Sequence, residues 1–154
     1  MSQTIVFLDR ETLSPDISLR SPSFAHRWVD YPSTTVDEVV ARAAEADIVI
    51  SNKVPLRADA LDQLPKLKMI AVAATGFDMV DVARCRERGV VVANVRGYST
   101  PSVAEHAFAL LLAVRRSLPA YRDAIRQHRW EHSPLFTFLD YPINDLAGGR
   151  LGII

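Results

Sequence analysis

An α/β fold with a doubly wound parallel sheet is what these 154 residues predict. Three observations carry the prediction. Short, continuous apolar runs recur at residues 4–8, 47–51, 68–74 and 90–93, which is how strands buried on both faces read. Helical patterns separate them. Turn residues, among them Pro32, Pro65 and Gly76, punctuate the alternation, and strands alternating with helices imply parallel pairing with helices covering both faces of the sheet.

Residues 4–8 form the first expected strand, ending at Asp9-Arg10, and residues 11–24, with Pro15 and Pro22, are expected to be loop with at most a helical turn. Residues 26–31 give a second strand, stopped by Pro32. Thr35-x-x-Glu38 reads as a capping box, and Val36, Val39, Val40, Ala43 and Ala44 follow at helical spacing. Strand three is expected at 47–51, a short helix at 55–64, strand four at 68–74 and strand five at 90–93. Asp78, with Asp81 three residues on, is the expected cap of the helix before strand five, and Gly89 sits where a left-handed helix end is wanted.

The stretch 101–116 is apolar on every side from Val103 to Val114, so it predicts a helix with a buried location, a spine between two lobes. Thr100 with Pro101, and Ser102-x-x-Glu105, mark its start; Arg115 and Arg116 suit the negative end of its dipole. A more polar helix is expected at 118–129, broken from the first near Pro119. Residues 133–145 read as an irregular connection, and 150–154 as the beginning of a further strand. The expected domains are 1–98 and 99–154.

Formal net charge is zero with 23% charged residues, so no overall field recruits nucleic acid or an anionic membrane. The lone Cys85 excludes an internal disulfide and, with no signal-peptide pattern in MSQTIVFLDR, suggests the cytoplasm. In open α/β sheets ligands bind beyond the carboxyl ends of the strands. Four such ends stand out: Asp9-Arg10, Ser51-Asn52-Lys53, Ala74-Thr75-Gly76 and residues 94–98. Thr75-Gly76 is the most suggestive, because a glycine turn before a helix lets successive backbone N–H groups converge on an anion, with Lys53 supplying positive charge. The plainer alternative is a tight turn at Gly76 and a solvated Lys53.

The motifs ISNKV, LPKLKMIAVAATGFDMVDV, GVVVANVRGYSTPSVAEH and DYPINDLAGGRLGII, in this order and across nearly the whole chain, resemble the D-isomer-specific 2-hydroxyacid dehydrogenases, most of all the glycerate dehydrogenase/hydroxypyruvate reductase group. The resemblance implies a flavodoxin-like substrate lobe at 1–98, then a hinge, the spine helix and the first helices and strand of a Rossmann NAD-binding lobe at 99–154. It implies NAD(H) as cofactor, a small 2-oxo or 2-hydroxy acid as substrate, and a homodimer of the full-length enzyme. It places the substrate carboxylate against Thr75 and Gly76, makes Asn52 and Lys53 the adjacent wall, and sets Val103 near the nicotinamide end of the cofactor. The G-x-G-x-x-G fingerprint and the catalytic arginine, acid and histidine of that family match no residue here, so no catalytic residue is assigned in this chain, which alone is expected to be inactive. The different-class alternative is a stand-alone carboxylate-binding module without catalysis.

Three other signals have ordinary readings. His128-Arg129-Trp130-Glu131-His132 fits H-x-x-E-H, yet Pro134 ends any helix at once and a third ligand is lacking, so a solvated helix end and no metal are expected. Arg84, Arg86 and Arg88 could lower the Cys85 thiol if close, but helix spacing points them apart, leaving a half-buried thiol among solvated arginines. Trp130, Phe136, Phe138 and Tyr141 read as anchors for a partner subunit or further lobe, or as local packing.

Overall fold

The computed structural model describes residues 2–153. It divides into two compact units, Met1–Tyr98 and Ser99–Ile154.

The first unit carries five strands, β1 (Gln3–Phe7), β2 (His26–Asp30), β3 (Ile48–Ser51), β4 (Met69–Val72) and β5 (Val91–Asn94). All pairs are parallel, in the order β2-β1-β3-β4-β5, which is the flavodoxin-like arrangement. In register, Val6, Val49, Ile70 and Val92 share one face, and Phe7, Ile50, Ala71 and Ala93 the other. Against the first face pack Val39 and Ala43 of α1 (Val39–Ala43), Ala60 and Leu61 of α2 (Ala58–Leu61), and Cys85 of α3 (Val82–Glu87). The second face is less covered than the continuous apolar runs predict: Ile5 and Phe7 of β1 are buried, while Ile48, Ile50, Met69 and Ala71 are half-buried and Val91 is exposed.

Several boundaries move for identifiable reasons. The helix expected at 55–64 shrinks to α2 because Leu56 is drawn into a parallel bridge with Val80, receiving Asp81 N–H and donating to Met79 O, each at 2.9 Å. The same bridge holds the chain extended through Val80, so Asp81 and not Asp78 caps α3, accepting from Arg84 N–H at 2.9 Å. The Thr35–Glu38 box is present, with the Glu38 carboxylate receiving both the N–H and the hydroxyl of Thr35 at 2.9 Å. It opens a 3₁₀ turn that runs into α1. Gly89 has φ of 70° at the end of α3, as expected.

The second unit consists of α4 (Thr100–Arg115), α5 (Leu118–Arg126) and the irregular segment after them. Thr100 lies inside α4, and neither it nor the Ser102–Glu105 box caps it; Ser99 occupies the cap position without a side-chain bond. The break before α5 falls at Ser117, with φ of 49°, and Pro119 sits in the first turn of α5, where its missing N–H costs nothing. The expectation of a buried spine is overturned: α4 has no buried residue, and Val103, Phe108, Leu110, Leu112 and Val114 are exposed. Apolarity on all sides states what a helix requires of its surroundings; among the described residues nothing encloses it. Residues 150–153 form no strand, having no paired neighbour, and Ile154 lies outside the described residues.

Tyr121 organises the segment after α5. Its ring meets Phe138 and Tyr141 at centroid distances of 5.2 Å each, and its hydroxyl donates to Tyr141 O at 2.8 Å. Local packing thus accounts for Phe138 and Tyr141, whereas Phe136 is 90% exposed and Trp130 half exposed. No described helix is long and apolar enough to cross a membrane.

Candidate functional site

The carboxyl edge of β3, β4 and β5 is where the first unit gathers its polar loop residues. Ser51 pairs with Val72 and Val72 with Asn94, so the loops that leave these strands emerge side by side. Ala73 N–H continues the ladder onto Ser51 O at 2.9 Å, and Val95 N–H onto Ala74 O at 3.0 Å.

Beyond Ala74 the ladder stops. The Asn94 amide donates to Thr75 O at 2.7 Å and the Thr75 hydroxyl to Val95 O at 2.9 Å, which lock the ends of β4 and β5 together. Among the described residues no group accepts from the backbone N–H of Thr75 or Gly76. Thr75 and Gly76 are exposed, so these N–H groups are open to solvent, whereas the Thr75 hydroxyl is already committed. A side chain at Gly76 would bring a Cβ to 3.2 Å from Asp78 Oδ1, so glycine keeps the turn open. Arg57, which the sequence reading did not single out, donates to the Asp78 backbone carbonyl at 2.9 Å.

Asn52 and Lys53 stand on the neighbouring loop, Asn52 half-buried and Lys53 exposed, and their backbone N–H groups are not free. Both donate to Asp9, whose side chain lies at the end of β1: Asn52 N–H at 2.9 Å to Oδ1, Lys53 N–H at 2.6 Å to Oδ2, with Val54 N–H at 3.3 Å to Oδ2. Only the side chains of Asn52 and Lys53 remain to meet a ligand. Asp9 is 2% exposed, and its role was missed although a carboxylate directly after the buried run Ile5-Val6-Phe7-Leu8 must find donors.

Val103 belongs to the second unit, in the first turns of α4. It is 63% exposed and lines an apolar hollow of about 750 Å³ with Ala107, Phe108, Leu111, Leu151 and Ile153.

Cys85 corrects an expectation. It is fully buried, not half-buried, and burial first, then the Asp81 carboxylate, push its thiol up, with Arg88 opposing; Arg84 turns away to Asp62 and Glu87. His128 lies beyond the end of α5 with φ of 61° and its Nδ1 2.9 Å from Glu131. Among the described residues no group of three or more His, Cys, Asp or Glu side chains is placed to hold a metal.

The sheet order and the open glycine turn at its carboxyl edge accord with a family model, D-isomer specific 2-hydroxyacid dehydrogenase, catalytic domain, which matches residues 14–135. The chain belongs to the D-isomer-specific 2-hydroxyacid dehydrogenase family. Among the relatives of this family, the glycerate dehydrogenase of Methylorubrum extorquens is 47% identical, the match covering 100% of this chain and 49% of that protein. The hydroxypyruvate reductase of Blautia hydrogenotrophica is 34% identical over 97% of this chain and 48% of its own length. A solved NADPH-dependent glyoxylate/hydroxypyruvate reductase from Sinorhizobium meliloti, in complex with citrate, superposes with a TM-score of 0.70 at 28% identity, covering 95% of this chain and 44% of that one. The chain thus spans about half the length of the curated dehydrogenases it matches.

Proposed function

We propose that residues 1–98 form the substrate lobe, and 99–154 the hinge and start of the nucleotide lobe, of an NAD(H)-dependent oxidoreductase interconverting a 2-oxo acid of the hydroxypyruvate or glyoxylate type with a D-2-hydroxy acid. The observation that carries this reading is the pair of free backbone N–H groups at Thr75 and Gly76, on the carboxyl edge of a 2-hydroxyacid dehydrogenase sheet. They seat the substrate carboxylate. Asn52 and Lys53 wall the seat, and the Lys53 ammonium supplies positive charge to the bound carboxylate.

A nicotinamide dinucleotide supplies hydride when bound. Among the described residues, 150–153 form no strand, and the residues of this chain placed nearest such a cofactor are Val103 and its neighbours. Val103 and the apolar wall around it suit only a flat apolar ring. No hydride step is therefore derived from this chain, and no catalytic group is assigned within it. The exposed Leu135, Phe136 and Leu139 support a homodimer of the whole protein, and the single buried thiol supports a cytoplasmic setting.

Two measurements test the reading. Full-length protein is expected to oxidise NADH in the presence of hydroxypyruvate or glyoxylate, and inability to reduce any short 2-oxo acid with NADH or NADPH would sink the assignment. The 154-residue chain alone is expected to show no such turnover. A second reading is favoured by one fact: the Thr75–Gly76 seat lies wholly within a unit that has its own core. On that reading the chain is a carboxylate-binding module, and titration with 2-oxo acids would give binding indifferent to NADH in the full-length protein.

A further inference from the structure

Asp9 carries a hydrogen-bond constellation that has no part in the proposed function. Its carboxylate receives three successive backbone N–H groups, those of Asn52, Lys53 and Val54, on the loop between β3 and α2. Three consecutive N–H groups converging on a pair of oxygens make an anion nest of the kind that elsewhere holds a phosphate or carboxylate ligand. Here the occupant is built in. Ser51 completes the arrangement: its hydroxyl donates to Val54 O at 3.2 Å and accepts from Val54 N–H at 3.1 Å, so the loop is pinned from both sides. Asp9 itself is held in place, since its own carbonyl receives the Thr12 hydroxyl at 2.7 Å and Leu8 N–H is tied to Ile50 O at 2.9 Å.

We propose that Asp9 is a positioning residue of the substrate site, acting as an internal anion in two ways. It fixes the backbone from which Asn52 and Lys53 project, so that the wall of the site is rigid before substrate arrives. It also fills the only other anion nest described on this edge of the sheet, so that a substrate carboxylate is directed to Thr75 and Gly76 and not to the β3–α2 loop. This inference rests on the dehydrogenase reading, because it is substrate binding that Asp9 serves. A loop held by an internal charge loses no conformational freedom when the ligand binds, and truncating that charge returns the cost to the binding step. The nest left behind has the size and polarity for formate.

The test uses full-length enzyme, wild type and Asp9→Ala, with hydroxypyruvate and NADH varied in turn, with and without formate. For Asp9→Ala the KM for hydroxypyruvate is expected to rise about tenfold or more while the KM for NADH stays within about twofold, the pattern of lost substrate positioning. Formate is expected to lower the raised KM in Asp9→Ala and not to lower it in wild type. Amide exchange at Asn52 and Lys53 is expected to quicken in Asp9→Ala and slow again with formate, a readout independent of turnover. Should Asp9→Ala fail to fold, Asp9→Asn, which keeps one acceptor oxygen, is expected to show a smaller rise in the same KM. A fall in thermal stability with both KM values unchanged would make Asp9 merely structural and overturn the proposal, as would exchange and KM that ignore formate. Inactive wild-type enzyme would instead remove the dehydrogenase reading on which the proposal stands.

Discussion

The backbone N–H of Lys53 meets the Asp9 carboxylate at 2.6 Å, although the two residues are separated by 44 positions in sequence. That bond joins the end of β1 to the end of β3 at the carboxyl edge of the sheet, where the substrate seat is proposed. A buried carboxylate is costly unless donors surround it, and three donors surround this one.

Stability should register the loss of that acceptor. Asp9→Ala leaves the N–H groups of Asn52 and Lys53 without their partner, while Val54 N–H keeps the Ser51 hydroxyl, and is expected to cost roughly 2–4 kcal/mol, with Asp9→Asn costing about half as much. Urea unfolding followed by circular dichroism measures both, and a loss within about 0.5 kcal/mol for Asp9→Ala would contradict the hydrogen bonding described.

The seat proposed at Thr75-Gly76 predicts the opposite balance. Gly76→Ala places a Cβ at 3.2 Å from a carboxylate that can rotate away, so stability should change by less than about 1 kcal/mol. The added methyl stands in the open turn, so the KM of the full-length enzyme for a 2-oxo acid should rise about tenfold. Thr75→Val removes the hydroxyl bond to Val95 O and should cost about 0.5–1.5 kcal/mol, loosening the β4–β5 edge. Steady-state kinetics beside thermal unfolding separates the two variants.

Acid sensitivity should trace to Asp47. The Lys68 ammonium at 2.7 Å, and after it the Thr4 N–H at 2.9 Å, hold its carboxyl below the usual carboxylate range. A depressed native value means that the stabilisation is present in full above about pH 4, the unfolded value, and is lost as pH falls through the native one. Asp47→Asn should therefore lower stability at pH 7 and flatten its decline below about pH 4. Denaturant midpoints across that range are the measurement.

Cys85 should be inert in the folded chain. With the thiol buried and its pKa pushed up by burial, thiol-reagent labelling at pH 8 should be at least about a hundredfold slower than in urea. Equal rates in the two conditions would mean that α3 opens freely.

Much of the first unit was legible in the sequence because its signals are local. The β-branched runs located all five strands within a residue or two, Thr35-x-x-Glu38 is the capping box it resembled, and Gly89 is left-handed. Misjudged elements were those that a distant partner decides. Leu56 reads as helical until it pairs with Val80, and Asp78 reads as a cap until that pairing keeps the chain extended to Asp81. Cys85 among arginines reads as a half-buried thiol, yet α3 turns that side chain fully into the core.

By itself, then, the sequence determined the alternation of strands and helices and the family resemblance, since periodicity, caps and turn chemistry are written over a few neighbouring residues. Tertiary structure alone decided that Asp9 fills the loop of Asn52 and Lys53, that the Thr75 hydroxyl is spent on Val95, and that α4 has no buried residue. A hydrogen bond or a buried face needs a partner brought from far along the chain, and no local pattern records which partner arrives.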